Sequence, residues 1–351
     1  MKKSLVTLLA IAMGLWGQSV NPVDWQRIVA IREKAVRGIA LTAEEETELS
    51  SALARLDPRN QSAIATRLAL AGLTGDGTEE TFSAPAIQVP LDNSPVELLT
   101  ATASDGARIE ASLRRPSGSG PFAVVIMIHG GLDPQRPEKR AWALTEGPVH
   151  TRLLAAGYMV VQATFRTYRR DNLLDPGPLL DIEAIHREVR SRKDVDPQRI
   201  AVFGGSGGGS LALDLATRER PAAVVVGEPA TLLFAGMLKT GDYQVRLRMM
   251  GDPHSYYGEE ERRLMSAKLA RIQSPILYLA GDIHPLKIIN EEIFLPAARQ
   301  AGCQVQVRVF PGEGHGFYFG SATSAATVEK AVAEIQRFLS QHLGPNRGNR
   351  R

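Results

Sequence analysis

The chain has 351 residues with 41 basic and 38 acidic side chains, a formal net charge of +3 at pH 7, and room for one or two domains with a large core. The excess of positive charge comes from Lys2, Lys3 and the arginines of a disordered basic tail expected over 344–351, so the folded body is nearly neutral and composition gives no case for a nucleic acid partner. Cys303 is the single cysteine, which excludes an internal disulfide.

The first nineteen residues have the pattern of a secretory signal. Two lysines precede an apolar run over 5–16, and small residues up to Ser19 provide a cleavage site. We therefore predict a signal peptide over 1–19 and an exported protein, periplasmic or extracellular, without stable membrane insertion after cleavage. An uncleaved anchor is the alternative interpretation.

Residues 20–73 are predicted to form a helical prefix, and residues 74–95 are predicted to form a linker. In the prefix, apolar residues recur at helical spacing, and Thr42 with Glu45 has the pattern of a capping box at a helix N-terminus. The segment 74–95 is rich in Gly, Thr, Pro and Ser. Neither segment carries residues that indicate chemistry.

Residues 96–343 are predicted to form one α/β domain. Asp105-Gly106 favours a hairpin turn between strands over 98–103 and 108–114, and the apolar run 122–128 is typical of a strand covered on both faces. Strands and helices then alternate, which predicts a mostly parallel central sheet flanked by helices, with ligands at the carboxyl ends of the strands. The further predicted strands are 158–164, 199–203, 222–227, 275–280 and 304–310, and the predicted helices are 149–156, 180–192, 211–218, 290–301 and 325–343.

A G-x-S-x-G pattern follows the predicted strand over 199–203. In Gly204-Gly-Ser-Gly-Gly208 the serine lies between an apolar strand and a run that favours a helix. A serine on such a sharp strand-to-helix turn is exposed at the edge of the sheet, where it can attack a substrate. We predict that Ser206 is a nucleophile; a glycine-rich turn without chemistry is the alternative.

Two other strand ends carry candidate residues. His129-Gly-Gly131 follows the 122–128 strand, where a backbone N–H together with that of Gly207 can bind an oxyanion, and we expect His129 itself to pack rather than to catalyse. His315 lies between two glycines after the last strand, late in the chain, where the general base of a hydrolase belongs; a surface histidine is the alternative. The seven histidines show no helical two-His spacing with an intervening acid, so we predict no metal and no cofactor.

Taken together, these motifs resemble the α/β-hydrolases of the prolyl oligopeptidase catalytic-domain and dienelactone hydrolase group. The motifs that carry the resemblance are Ser104-Asp-Gly106, Ile128-His-Gly-Gly131, Gly157-Tyr158, Phe165-Arg166, Asp196-Pro-Gln-Arg-Ile200, Gly204 to Gly208, Ser274-Pro-Ile-Leu277 with Gly281, and Gly312-Glu-Gly-His-Gly-Phe317. The resemblance implies an α/β-hydrolase fold and a serine hydrolase, with Ser206 as nucleophile, His315 as base, and the Gly131 and Gly207 amides as the oxyanion hole.

The chain departs from this group in two ways. About fifty helical residues cannot form the β-propeller that precedes the catalytic domain of the oligopeptidases, which favours an open, esterase-like site. The usual place of the triad acid, three residues after the glycine that ends the penultimate strand, holds His284. Glu228, at the end of the 222–227 strand, is the preferred candidate for the acid, and Asp282 is the second; a site without an acid is the third alternative.

We therefore predict an exported serine hydrolase that cleaves esters, or alternatively short peptides, through an acyl-enzyme. A hydrolase-fold binding protein that has lost turnover is the rival hypothesis, because the usual acid is missing. Arg166, Arg169 and Arg170 follow a strand at the catalytic edge and predict a preference for substrates that bear a carboxylate; alternatively, they pair with Asp171 and Asp175 in a solvated loop. The sequence leaves the substrate and the oligomeric state open.

Overall fold

The computed structural model describes residues 27, 31, 34, 40–54, 94–320 and 324–344. The predicted signal peptide, most of the prefix and of the linker, and the basic tail after residue 344 lie outside the described residues. Within the prefix, helix α1 spans Ala43–Ala54. The Thr42 N–H donates to Glu45 Oε2 (3.0 Å) and the Glu45 N–H donates to Thr42 Oγ1 (3.2 Å), so the predicted capping box is confirmed.

One eight-stranded sheet forms the centre of the molecule. Its strands are β1 (Val96–Thr102), β2 (Arg108–Arg114), β3 (Phe122–Ile128), β4 (Met159–Ala163), β5 (Val195–Gly205), β6 (Ala223–Gly227), β7 (Ile276–Ile283) and β8 (Val305–Gly314). The spatial order is β1-β2-β4-β3-β5-β6-β7-β8. The β1–β2 and β2–β4 pairs are antiparallel and the other pairs are parallel, which confirms the predicted mostly parallel sheet.

The central strands are buried on both faces because apolar side chains point alternately to opposite sides of the sheet. In β3, Val124 and Ile126 belong to one core cluster, whereas Val125 and Met127 belong to the other. The uninterrupted apolar sequence of this strand thus fills two cores at once. Strands β5, β6 and β7 lie beside each other in this interior, so their carboxyl ends meet at one edge of the sheet.

Helices cover both faces of the sheet. They are α2 (Pro137–Glu146), α3 (Pro148–Ala155), α4 (Gly177–Ser191), α5 (Gly207–Ala216), α6 (Thr231–Phe234), α7 (Tyr243–Gly251), α8 (Glu259–Leu269), α9 (Leu295–Gln300) and α10 (Ala325–Leu343). No helix within the described residues has both the length and the apolar character needed to cross a membrane.

The helical predictions need two corrections. Helices α2, α6, α7 and α8 were not predicted. The segment 290–301, predicted as one α-helix, instead contains a π-helix over Ile289–Phe294 followed by the short helix α9. Pro296, in the first turn of α9, has no backbone N–H and its ring crowds the carbonyl one turn earlier, which accounts for the change in helical geometry at this point.

Candidate active site

The turn that carries Ser206 has little room for side chains. Strand β5 ends at Gly205 and helix α5 begins at Gly207, and Ser206 between them has φ 51° and ψ −119°. A Cβ added to Gly204 would lie 2.0 Å from the Gly208 carbonyl oxygen, and a Cβ on Gly208 would lie 2.3 Å from that of Ile128. The G-x-S-x-G pattern is therefore a steric requirement of this turn, which holds Ser206 in the conformation of a nucleophile elbow.

The loop after β3 packs directly against this turn. A Cβ on Gly207 would lie 2.6 Å from the Gly131 carbonyl oxygen, and a Cβ on Gly130 would lie 3.2 Å from the Ser206 Cβ. Gly207 is the first residue of α5. At a helix N-terminus the backbone N–H groups have no acceptor within the helix, and the positive end of the helix dipole lies there. The two glycines predicted to form an oxyanion hole are thus neighbours beside the serine.

Glu228 follows the last residue of β6 and is fully buried at the same edge of the sheet. Its carboxylate accepts hydrogen bonds from the Gly281 N–H (2.9 Å) and the Gly316 N–H (2.8 Å). The Ser206 N–H donates to the carbonyl oxygen of Gly227, the residue before Glu228 (2.9 Å). Strand pairing between β5 and β6 therefore places the serine and the buried glutamate close to each other.

His315, one residue beyond β8, lies against this glutamate. Its Nδ1 is 3.4 Å from Glu228 Oε2, and its side chain is 21% exposed. The other candidate acid, Asp282, accepts a hydrogen bond from the Gly312 N–H at 2.7 Å. The ring of His284, in the usual place of the acid, is nearly parallel to that of His315, with 6.2 Å between ring centroids. The structure therefore places Glu228, the preferred candidate acid, beside the His315 ring.

The charge state of this pair is governed by burial. Burial raises the pKa of Glu228 to about 8, and Glu313 adds to that rise, whereas two backbone N–H groups and the Tyr318 hydroxyl oppose it by donating to the carboxylate. Burial lowers the pKa of His315 to about 4. A neutral imidazole is the form that can accept a proton from serine, so His315 is in the form that a general base requires at neutral pH.

His129 is occupied by packing and hydrogen bonds, as we expected. Its Nδ1 donates to the Gly130 carbonyl oxygen (2.7 Å), and its Nε2 lies 3.0 Å from Thr164 Oγ1. Its ring stacks on Phe165 with 4.4 Å between centroids, and burial lowers its pKa to about 4. Both ring nitrogens are thus engaged in holding the loop after β3.

Arg166, which we predicted to contact substrate, is held by two carboxylates of the chain. Its guanidinium lies 2.6 Å from Asp181 Oδ1 and 2.5 Å from Asp105 Oδ2, and its backbone N–H donates to Asp181 (2.7 Å). Asp181 is fully buried. Carboxylates of the chain therefore occupy the donors of Arg166, and its contact with substrate stays a prediction.

Arg169 and Arg170 lie in the loop after β4 and also form ion pairs. Arg169 binds Asp171 at 2.9 Å and approaches Asp175 at 3.7 Å, which is the pairing given as the alternative to substrate contact. Arg170 binds Asp133 at 2.6 Å. Both arginine side chains are more than half exposed, so contact with an anionic substrate stays a prediction for these two residues.

Tyr318 is a residue of this site that no sequence motif indicated. It follows His315 by three residues, is almost fully buried, and donates a hydrogen bond to Glu228. The sequence does contain one hint of its role. Tyr318 lies in the same loop as His315, and it carries the single hydroxyl group in the run of three aromatic residues over Phe317–Phe319.

The fold and this site define an α/β-hydrolase with a serine at its nucleophile elbow. Residues 168–346 match the prolyl oligopeptidase family, which is just over half of the chain. The chain therefore belongs to the prolyl oligopeptidase family.

Two curated relatives are uncharacterized proteins from two strains of Mycobacterium tuberculosis, each 29% identical over 203 residues. The match covers 56% of this chain and 64% of each relative, so the chain spans less than two thirds of their length.

Among solved structures, carboxyl esterase 2 of the fungus Tuber melanosporum is similar with a TM-score of 0.57, 20% identity, and coverage of 82% of this chain and 100% of that one. A puromycin-hydrolyzing peptidase of Mycobacterium tuberculosis has a TM-score of 0.55 and 20% identity, with coverage of 72% and 40%. At these identities the likeness shows a common fold.

Proposed function

We propose that the protein is a serine hydrolase that cleaves carboxylic esters through an acyl-enzyme on Ser206, with His315 as general base and Glu228 as the acid of the triad. One observation carries the proposal. Among the described residues, only Ser206 and Glu228 combine a side chain with positive φ (51° and 37°), and both follow the last residues of neighbouring strands. Strained residues of this kind persist where the surrounding structure holds them for function.

The proposed reaction uses these groups in two half-reactions. Ser206 Oγ attacks the ester carbonyl while His315 Nε2 takes its proton, and the Gly131 and Gly207 N–H groups stabilise the oxyanion. The Nδ1 side of His315 faces Glu228, which holds the tautomer that leaves Nε2 free to act as base. His315 then protonates the leaving alcohol, and water hydrolyses the acyl-enzyme by the same route.

Esters are proposed rather than peptides because of the extent of the structural matches. The fungal carboxyl esterase is matched over 100% of its length, whereas the puromycin-hydrolyzing peptidase is matched over 40%. Export is part of the proposal and is supported by the signal pattern over 1–19.

The test is labelling of the purified protein with a fluorophosphonate, which reacts covalently with an activated serine. We expect labelling and hydrolysis of an activated ester by the wild type, and loss of both in Ser206→Ala. Ser210→Ala is the matched control, because Ser210 is a serine in α5 one turn after Ser206 but is buried, and both signals should survive there. A wild-type protein that is neither labelled nor active would instead be the binding protein of the rival hypothesis.

A further inference from the structure

The hydroxyl of Tyr318 lies between the ends of the two strands that carry the nucleophile and the proposed acid. A Cβ added to Gly227 would lie 2.0 Å from Tyr318 Oη, and a Cβ on Gly205 would lie 3.0 Å from it. Gly227 directly precedes Glu228, and Gly205 directly precedes Ser206. The absence of side chains at these two positions therefore makes the space that the phenol oxygen occupies.

The phenol donates to the Glu228 carboxylate, which also accepts the two backbone N–H groups of Gly281 and Gly316. Tyr318 is 1% exposed, and its ring packs on Phe203, Phe317 and Phe319. Burial and the nearby carboxylate raise the pKa of Tyr318, so the phenol keeps its proton and stays a donor.

We infer that Tyr318 is a positioning residue that orients Glu228 and lowers the pH at which its carboxylate ionises against His315. This inference rests on the proposed function, in which Glu228 is the acid. An ionised, oriented carboxylate stabilises the imidazolium that forms as His315 takes the proton of Ser206. Loss of the phenol donor should therefore slow the chemical step.

The groups that face Glu228 come from two elements. Tyr278 lies on β7, and Glu313, His315 and Tyr318 lie on β8 and the loop after it. Glu313 disfavours the ionised carboxylate by charge repulsion, whereas Tyr318 favours it by hydrogen bonding. Tyr318 is thus the side chain among them whose removal should raise the pH at which Glu228 ionises.

The experiment compares Tyr318→Phe with Tyr278→Phe on an activated ester across a range of pH. Both tyrosines are buried and near Glu228, but only Tyr318 hydrogen-bonds to it. In Tyr318→Phe we expect kcat to fall about tenfold with KM nearly unchanged, and the rise of kcat/KM with pH to shift upward by about one pH unit, because a hydrogen bond to an ionised group is lost. Tyr278→Phe should change neither quantity.

Glu228→Gln separates failure of this inference from failure of the proposed function. If Glu228→Gln keeps wild-type turnover, Glu228 is not the acid and both proposals fall. If Glu228→Gln collapses while Tyr318→Phe keeps the wild-type kcat and pH midpoint, only the inference about Tyr318 is wrong. A Tyr318→Phe/Glu228→Gln double variant should be no slower than Glu228→Gln, and a further additive loss would show that Tyr318 acts elsewhere.

A second measurement avoids dependence on the folding of Tyr318→Phe. Fluorotyrosine incorporated at position 318 keeps the ring and makes the hydroxyl a stronger donor. We expect the midpoint of the kcat/KM profile to move to lower pH. An unchanged midpoint would overturn the inference.

Discussion

Ser206 and Glu228 each hold a side chain in a backbone conformation that L-residues rarely adopt, at a cost of order 1–3 kcal/mol for each residue. The surrounding contacts hold both in place. Three hydrogen-bond donors hold the Glu228 carboxylate, and the Ser206 N–H is bonded to the Gly227 carbonyl oxygen. The strain thus lies at the two residues that the proposed reaction uses.

Substitution of the two candidate acids, Glu228 and Asp282, should have opposite effects on turnover. Glu228→Gln should lower kcat on an activated ester by several orders of magnitude, because the amide cannot stabilise the imidazolium and favours the wrong tautomer. Asp282→Asn should keep near-normal turnover, since Asp282 binds the Gly312 N–H. Collapse of the asparagine variant together with survival of the glutamine variant would reverse the assignment.

The nucleophile is positioned by the close packing of α5 against the ends of the paired strands β3 and β5. Glycines at this contact let backbone carbonyl oxygens lie directly against the helix. At Gly208 an added Cβ would meet the carbonyl oxygen of Ile128, the last residue of β3. An alanine in a helix is ordinarily favoured over glycine by roughly 1 kcal/mol. If a glycine-to-alanine substitution here lowers stability instead, the cause is the steric clash of the added methyl group and not helix propensity.

We expect Gly208→Ala to lower the free energy of unfolding by about 1–3 kcal/mol and to lower kcat, because the added Cβ would lie 2.3 Å from the Ile128 carbonyl oxygen and must displace the loop after β3. The control is Gly106→Ala, where nothing lies within 4 Å but φ is +87°. That variant should lose stability through backbone strain alone and keep wild-type kcat per folded molecule. Urea unfolding and ester hydrolysis measure the two effects, and wild-type stability of Gly208→Ala would contradict the packing described.

At the scale of the whole molecule, Arg166 joins three distant parts of the chain. It follows β4, binds Asp105 in the β1–β2 hairpin turn, and binds the buried Asp181 of α4. The hairpin at one edge of the sheet is thereby tied to a helix that covers one face. A buried carboxylate left without its partner is strongly destabilising.

Arg166→Met should therefore reduce the free energy of unfolding by about 3 kcal/mol, because it leaves Asp181 with an uncompensated charge. Arg169→Met is the matched control, since Arg169 pairs with exposed Asp171, and it should unfold like the wild type. Neither variant should alter the ratio of rates on anionic and neutral esters if the arginines serve the fold alone. A changed ratio of rates with unchanged stability in Arg166→Met would instead support its predicted contact with substrate.

The sequence by itself determined the features that depend on local pattern. The G-x-S-x-G turn, the alternation of strands and helices, and the glycine-flanked His315 are each specified by neighbouring residues, because turn geometry and apolar periodicity are short-range. These features sufficed to predict the α/β-hydrolase fold and a serine hydrolase.

Only the tertiary structure decided which side chains meet. Glu228 is far from His315 and Tyr318 in the sequence, and the three residues converge because β6, β7 and β8 are adjacent and parallel, so that their carboxyl ends share one edge. The same holds for Asp181, whose pairing with Arg166 depends on how α4 packs near the end of β4. Distances between residues remote in the chain are set by the packing of whole strands and helices, so a local sequence pattern cannot predict them.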